Sequence, residues 1–291
     1  MTIEHPMIES IERSVQFMQT ELQNDRTPTL DHLATVSGMS KYHFHRIFKL
    51  VTGETCGDAM TRLRLARGTA AMQDIGSSVT QAALAAGYSS SQAFAKALKR
   101  ELATSATSLR SDPERLAKTV RTLLEPNQIT NVPAYPPMRI EICSLEPLEL
   151  IFIRTIDRFP DLAETYGRLA EVADGPQNVR AFLGLPHRDT STSEANGFVF
   201  DCALLPISPV SNIPADMRFH SISQGTYLVV RHIGIDAELP RSLDTLYTAV
   251  LTQPDLHISD EPCIFHFVDD PEETTDTECR TDIYVRIETL S

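Results

Sequence analysis

Residues 33–49 read Leu33-Ala34-Thr35-Val36-Ser37-Gly38-Met39-Ser40-Lys41-Tyr42-His43-Phe44-His45-Arg46-Ile47-Phe48-Lys49. This is a short helix, a glycine turn, and a second helix opened by serine with a basic outer face. The same pattern returns as Ala82-Ala83, Gly87-Tyr88-Ser89 and Phe94-Ala95-Lys96-Ala97-Leu98-Lys99, at an offset of 49 through the turn and 50 beyond it. The second copy therefore carries one extra residue. Each copy has the form of a helix-turn-helix, and a tandem pair points to double-stranded DNA.

Working outward, Ile8, Ile11, Val15, Met18 and Leu22 recur at helical spacing and predict a first helix. Thr29 suits the N-cap of the next helix, Gly38 the left-handed residue that ends it, and Ser40 the cap of the following one. A longer helix is expected over 58–72. The second unit starts near Val79, turns at Gly87, and restarts at Ser89 with Gln92 three residues on, a capping-box spacing. Residues 1–112 thus form one all-α domain.

Residues 113–137 read as a linker: a charged helical stretch, then Val132-Pro133-Ala134-Tyr135-Pro136-Pro137, where proline is too dense for a helix or a central strand. Beyond it, in 138–291, strands are expected at 148–154, 198–205, 226–232, 264–268 and 282–287. A second internal repeat runs at an offset of 77. Phe152-Ile153-Arg154 matches Val229-Val230-Arg231, Leu162 matches Leu239, and Leu169 matches Leu246. Two fused strand–helix–strand–strand units give an α+β domain with pseudo-twofold symmetry and a groove between its halves. The fold class is multidomain, a tandem helix-turn-helix domain followed by this α+β domain.

The net charge of −13 conceals a split. Residues 1–125 hold 15 Lys and Arg against 13 Asp and Glu, residues 126–291 hold 11 against 26, and the window 41–110 holds 10 against 4. Binding to a polyanion follows the local field, screened beyond roughly 8 Å at physiological salt. The five cysteines are scattered without a CxxC pair, which speaks against a zinc site or a disulfide framework and for a reducing cytoplasm. No run of eighteen apolar residues reads as a membrane span, and the acidic N-terminus does not read as a leader.

The expected DNA-reading residues are Ser40, Lys41, Tyr42, His43, His45, Arg46 and Lys49 in unit one, and Ser90, Ser91, Gln92, Lys96 and Lys99 in unit two. Phe44, Ile47, Phe48, Phe94, Ala97 and Leu98 fall on the core faces. Gln92 suits two hydrogen bonds to adenine. One such helix alone is equally well read as a solvated basic face; the matched repeat favours DNA. His43 and His45, two apart, lie on different helix faces and do not make a metal site. The 269–273 acidic run lacks the ligand spacing of a calcium loop. No cofactor is expected.

Residues 8–112 resemble the DNA-binding domain of AraC/XylS-type transcriptional regulators. The resemblance rests on Leu33-Ala34, Gly38-Met39-Ser40, Phe44 to Lys49, Gly53, Arg64-Leu65, Ala83, Gly87-Tyr88, Phe94 and Lys99. It implies two recognition helices, joined by a long linking helix, in successive major-groove segments. The family's Gly-x-Thr-Pro-like turn is Gly53-Glu54-Thr55-Cys56 after the first unit and Ala103-Thr104-Ser105-Ala106 after the second. Leu98 and Ala82 stand where larger residues are usual. A looser second core and a less certain reader are the expectation, with unit one the anchor.

Residues 138–291 resemble the gyrase-inhibitor-like effector domain found in Rob-like regulators. The carriers are Asp201-Cys202-Ala203, Gln224-Gly225-Thr226-Tyr227, His232-Ile233-Gly234 and Asp269-Asp270-Pro271. That family takes amphipathic or cationic compounds through a glutamate two residues before a tyrosine, positions held here by Phe265 and Phe267. An unpaired buried cation is costly and the chain has no tryptophan, so an apolar or weakly polar effector fits better. Candidate lining residues are Phe152, Tyr166, Phe200, Tyr227, His232, Phe265 and Phe267.

The reading is a cytoplasmic bacterial DNA-binding regulator without catalysis, bound to promoter DNA and responsive to a small molecule or a partner. Its rivals are an effector-independent regulator that recruits RNA polymerase, and a hydrolase using Glu164, His232 and Asp282.

Overall fold

The computed structural model describes residues 5–24, 26–74, 76–125, 138–156, 162–187, 199–270 and 273–289. These fall into two compact units, one within Ile8–Val132 and one comprising Met1–Met7 with Pro133–Ser291.

The first unit is helical: α1 (Pro6–Gln23), α2 (Leu30–Ser37), α3 (Lys41–Thr52), α4 (Cys56–Ala71), α5 (Val79–Ala85), α6 (Ser91–Leu102), α7 (Ala106–Arg110) and α8 (Pro113–Leu124). The caps follow from side chains able to satisfy the orphan N–H groups of each first turn. Thr29 Oγ1 accepts from His32 N at 3.3 Å and Ser40 Oγ from His43 N at 3.4 Å. Thr55 with Asp58, and Ser78 with Gln81, form reciprocal capping boxes. Gly38, Gly53 and Gly87 all adopt the left-handed conformation.

Three expectations change. The cap of α6 is Ser90, not Ser89: Ser90 Oγ accepts from Ala93 N at 3.2 Å. The extra residue of unit two therefore lies between Gly87 and this cap, which brings Ser90 onto Ser40 at the offset of 50. The charged stretch after residue 112 is α8, and it buries Leu116 and Leu123 in the same core as Phe94 and Leu98; residues 126–137 lie outside the described residues. The second core is also closed rather than loose, since Ala82, Ala83, Phe94 and Leu98 have no measurable exposure. Gly68 in α4 explains this. A Cβ there would sit 2.6 Å from Phe94 Cε2 and 2.9 Å from Ala86 Cβ, so small residues are matched by closer approach rather than by voids.

The second unit holds β1 (Ile140–Leu145), β2 (Leu148–Ile156), α9 (Leu162–Val172), β3 (Val179–Pro186), β4 (Val199–Pro206), β5 (Met217–Ile222), β6 (Gly225–Ile233), α10 (Leu239–Leu251), β7 (Leu256–Ile258), β8 (Ile264–Phe267) and β9 (Arg280–Thr289). The strands make one sheet in the order β1-β6-β9-β8-β3-β4-β2-β5, with β7 on β9. The offset of 77 holds to the residue: β1 maps onto β5, β2 onto β6, and the first residue of α9 onto the first of α10. The halves meet where β3 pairs with β8. Strands β1, β3, β5 and β7 are additional to those located from the sequence.

The repeat extends to side chains. Arg154 on β2 holds Asp201 on β4 through two hydrogen bonds of 2.7 Å, and Arg231 on β6 holds Asp282 on β9 identically. Burial alone would raise Asp201, but hydrogen bonds from Arg154 and His187 outweigh it and hold the carboxyl below its ordinary range. Both forks lie on the sheet face that bears Leu150, Phe152, Leu183, Ala203, Tyr227 and Ile264, one buried cluster without a helical residue. The opposite face carries α9 and α10: Tyr166 of α9 packs on Phe182, and Ser242 of α10 bonds His232.

Candidate DNA-reading face and effector site

In unit two, Ser90 ends the turn and fixes the start of α6. Phe94, Ala97 and Leu98 face the core, while Gln92, Ala95, Lys96, Lys99 and Arg100 are exposed. The four polar ones of these project from one capped, anchored helix, the arrangement a major-groove reader needs. Ser91 is half-buried at the first helical position, and the hydroxyl of Ser90 is occupied by its cap.

Unit one differs. Phe44, Ile47 and Phe48 are in the core as expected, but so are residues read as outward-facing. Tyr42, His43, His45 and Arg46 are 5%, 2%, 9% and 4% exposed in the full-length chain, Ser40 is half-buried, and Lys41 and Lys49 are exposed. The Tyr42 ring packs edge-on against His43 at 5.4 Å, and the Arg46 guanidinium lies 6.0 Å from the Tyr42 ring. Amphipathic side chains bury their apolar bodies on one another. Lys41 is paired with Asp31, and Ser40 serves as the cap.

The basic excess in 41–110 is also less available than its count suggests. Arg62 grips Glu54, with Nε 3.1 Å from each carboxylate oxygen, and donates to Leu123 O at 2.5 Å. Arg64 donates to Ala86 O at 3.0 Å and to Gly87 O, Arg67 to Leu22 O, and Arg110 to Ser77 O. These four arginines satisfy carbonyls at helix ends and turns. Among the described residues the exposed cations on the recognition helices are Lys41, Lys49, Lys96, Lys99 and Arg100, with Lys41 paired with Asp31 and Arg100 with Glu101.

In the second unit, four of the seven candidate effector residues gather around Gly184 on the helix-bearing face. Phe265 pairs with Gly184 across the β3–β8 junction. A Cβ at Gly184 would lie 2.5 Å from Phe200 Cζ and 3.2 Å from Phe267 Cε2. Tyr166 packs edge-on against Phe182 at 5.3 Å and Phe267 at 5.9 Å, and donates its hydroxyl to Leu183 O at 2.7 Å. Phe182, which sequence reasoning missed, completes a set of five aromatic rings. None carries a charge: burial drives the Tyr166 hydroxyl well above its ordinary pKa and pushes the Cys202 thiol up to about 12.

The other three candidates lie elsewhere. Phe152 and Tyr227 belong to the cluster on the opposite face, because alternate strand residues point to opposite sides. His232 is buried with Nδ1 2.9 Å from Ser242 Oγ and Nε2 3.1 Å from Ile235 O, tying the end of β6 to α10. Nor do the hydrolase candidates converge. Glu164 is exposed on α9, His232 is committed at both ring nitrogens, and Asp282 is held by Arg231. His187 hydrogen-bonds Asp201, Ser221 donates to Glu149, and Asp269 is held by Arg280, which brings its carboxyl down to about 2.

Two helix-turn-helix units joined by one helix, followed by a pseudo-symmetric α+β domain with an aromatic cluster on its helix-bearing face, define a two-domain DNA-binding transcriptional regulator. Residues 33–112 match a helix-turn-helix domain, and residues 138–288 match a GyrI-like small molecule binding domain. The chain belongs to the AraC-type regulators that carry this second domain. It is 31% identical over 98 residues to the probable transcription factor PqrA of Proteus vulgaris, covering 34% of this chain and 80% of PqrA. It is 31% identical over 106 residues to the right origin-binding protein of Escherichia coli K12, covering 36% of this chain and 37% of that protein. A structure of an EcmrR–DNA complex aligns over 52% of this chain and 58% of that one, at 18% identity and a TM-score of 0.41. No helix among the described residues is long and apolar enough to cross a membrane.

Proposed function

We propose that this chain is a cytoplasmic regulator that binds promoter DNA with α6 as its available reading helix, and that an apolar or weakly polar small molecule beside Gly184 sets its activity. The observation that carries the effector class is the aromatic set Tyr166, Phe182, Phe200, Phe265 and Phe267 closing on a glycine. Rings stack on uncharged aromatic compounds and bury area, whereas a cation entering there would need a carboxylate to offset its desolvation. Positions 265 and 267, phenylalanine here, supply no such charge. Catalysis has no part in this reading.

The test has two arms. Binding of the full-length protein to a duplex selected from a random-sequence pool is measured at two salt concentrations, and affinity should fall steeply as salt rises. The thermal midpoint is then measured with a neutral aromatic panel and with tetraphenylphosphonium, since a ligand that binds only the folded state raises it. Neutral compounds should raise the midpoint and tetraphenylphosphonium should not. The reverse order overturns the effector class. No shift with any compound favours a domain that instead recruits a partner such as RNA polymerase.

A further inference from the structure

Arg64 and Gly68 lie one helical turn apart on α4, and both face the second helix-turn-helix unit. Arg64 contacts three consecutive residues of its turn. Nε donates to Ala86 O at 3.0 Å, a terminal N–H donates to Gly87 O, and the guanidinium carbon stands 4.4 Å from the Tyr88 ring centroid. Ala86 and Gly87 lie just past the end of α5, where carbonyls have lost their helical donors. Gly87 has φ +73, and a Cβ on it would come 3.5 Å from Arg64 Nε, so the guanidinium rests on the glycine itself.

The contact continues into the reading helix. Tyr88 packs on Phe94 at 5.4 Å, and Phe94 seats on Gly68, which has no Cβ to obstruct it. Phe94 is the first core residue of α6, two positions after Gln92 and two before Lys96. The turn of unit one is more open: among the described residues nothing lies within 4 Å of a Cβ built on Gly38. That unit is instead braced from α1, where Ser14 Oγ donates to Leu33 O and bonds Ser37 Oγ.

We infer that Arg64 is the positioning residue for DNA reading by unit two: it sets the angle at which α6 leaves the turn, without touching DNA. The fork of donors and the flat face are both used, and a lysine ammonium supplies neither. The inference rests on DNA reading by α6.

The experiment compares full-length wild type, Arg64→Ala and Arg64→Lys on a duplex selected by the wild type from a random-sequence pool. Equilibrium affinity, hydroxyl-radical footprint and thermal midpoint are read for each. Both variants should lose about tenfold in affinity and lose protection over one of two protected segments while keeping the other; lysine should not rescue. If Arg64→Ala does not fold, Arg64→Lys carries the test alone. A phosphate contact would behave differently, since lysine would preserve it. Wild-type affinity and footprint in Arg64→Lys overturn the inference, as does equal weakening over both segments. If the wild type selects no duplex, the DNA-reading proposal falls and takes this inference with it.

Discussion

In unit one the reading helix has Tyr42, His43, His45 and Arg46 buried, while in unit two Gln92, Lys96, Lys99 and Arg100 are exposed. The two share caps at Ser40 and Ser90 and cores built on Phe44 and Phe94, so the difference does not come from the motif. The two units also differ in what braces them. Serines of α1 hold unit one, and Arg64 and Gly68 of α4 hold unit two. A duplicated motif fixes the local chain path; the neighbouring helices supply a different brace to each copy.

The largest expected effect breaks the brace at the exit of unit one. Arg62 and Glu54 have side chains 13% and 9% exposed, so Arg62→Ala leaves a buried carboxylate uncompensated. It should cost about 3 kcal/mol of unfolding free energy, read by chemical denaturation, and a surface-like loss below 0.5 kcal/mol would refute the brace.

Next comes base reading. Gln92→Ala should cost about 1–3 kcal/mol at one base position and relax preference there. Selection experiments on the variant measure this, and an unchanged selected sequence removes Gln92 from the reading set. Smaller still is the turn that follows each reading helix. Gly53 has φ 73 and Ala103 has φ 50. Ala103→Gly should stabilise by about 1 kcal/mol and Gly53→Ala destabilise by a similar amount. Thermal midpoints moving in the same direction would contradict the equivalence of the two turns.

Much of this architecture is legible in the chain itself. Gly38, Gly53 and Gly87 mark left-handed turns because side-chain-free residues tolerate them, and Thr29 and Ser40 announce helix starts through their hydroxyls. The offset of 77 places both halves of the α+β domain, down to the Arg154 and Arg231 forks. What could not be read depends on three-dimensional neighbours. Helical periodicity puts His43 and Arg46 off the face of Phe44, but it does not give their burial. A charge count treats Arg62, Arg64, Arg67 and Arg110 as groups free to contact DNA, although carbonyls of this chain already engage them. Ser89 and Ser90 are adjacent, and only the inserted residue decides which one caps. For the effector site, strand parity separates Phe152 and Tyr227 from Phe265 and Phe267. Phe182 had no motif to mark it.

The central claim, that unit two is the available reader, is tested most directly by paired charge removal. Lys96→Ala/Lys99→Ala and Lys41→Ala/Lys49→Ala are compared for affinity to the selected duplex across a salt series. The account predicts at least about a tenfold loss for the unit-two pair, with the salt slope falling by roughly 2, and a smaller loss for the unit-one pair, because Lys41 is already paired with Asp31. A larger loss from the unit-one pair would contradict it.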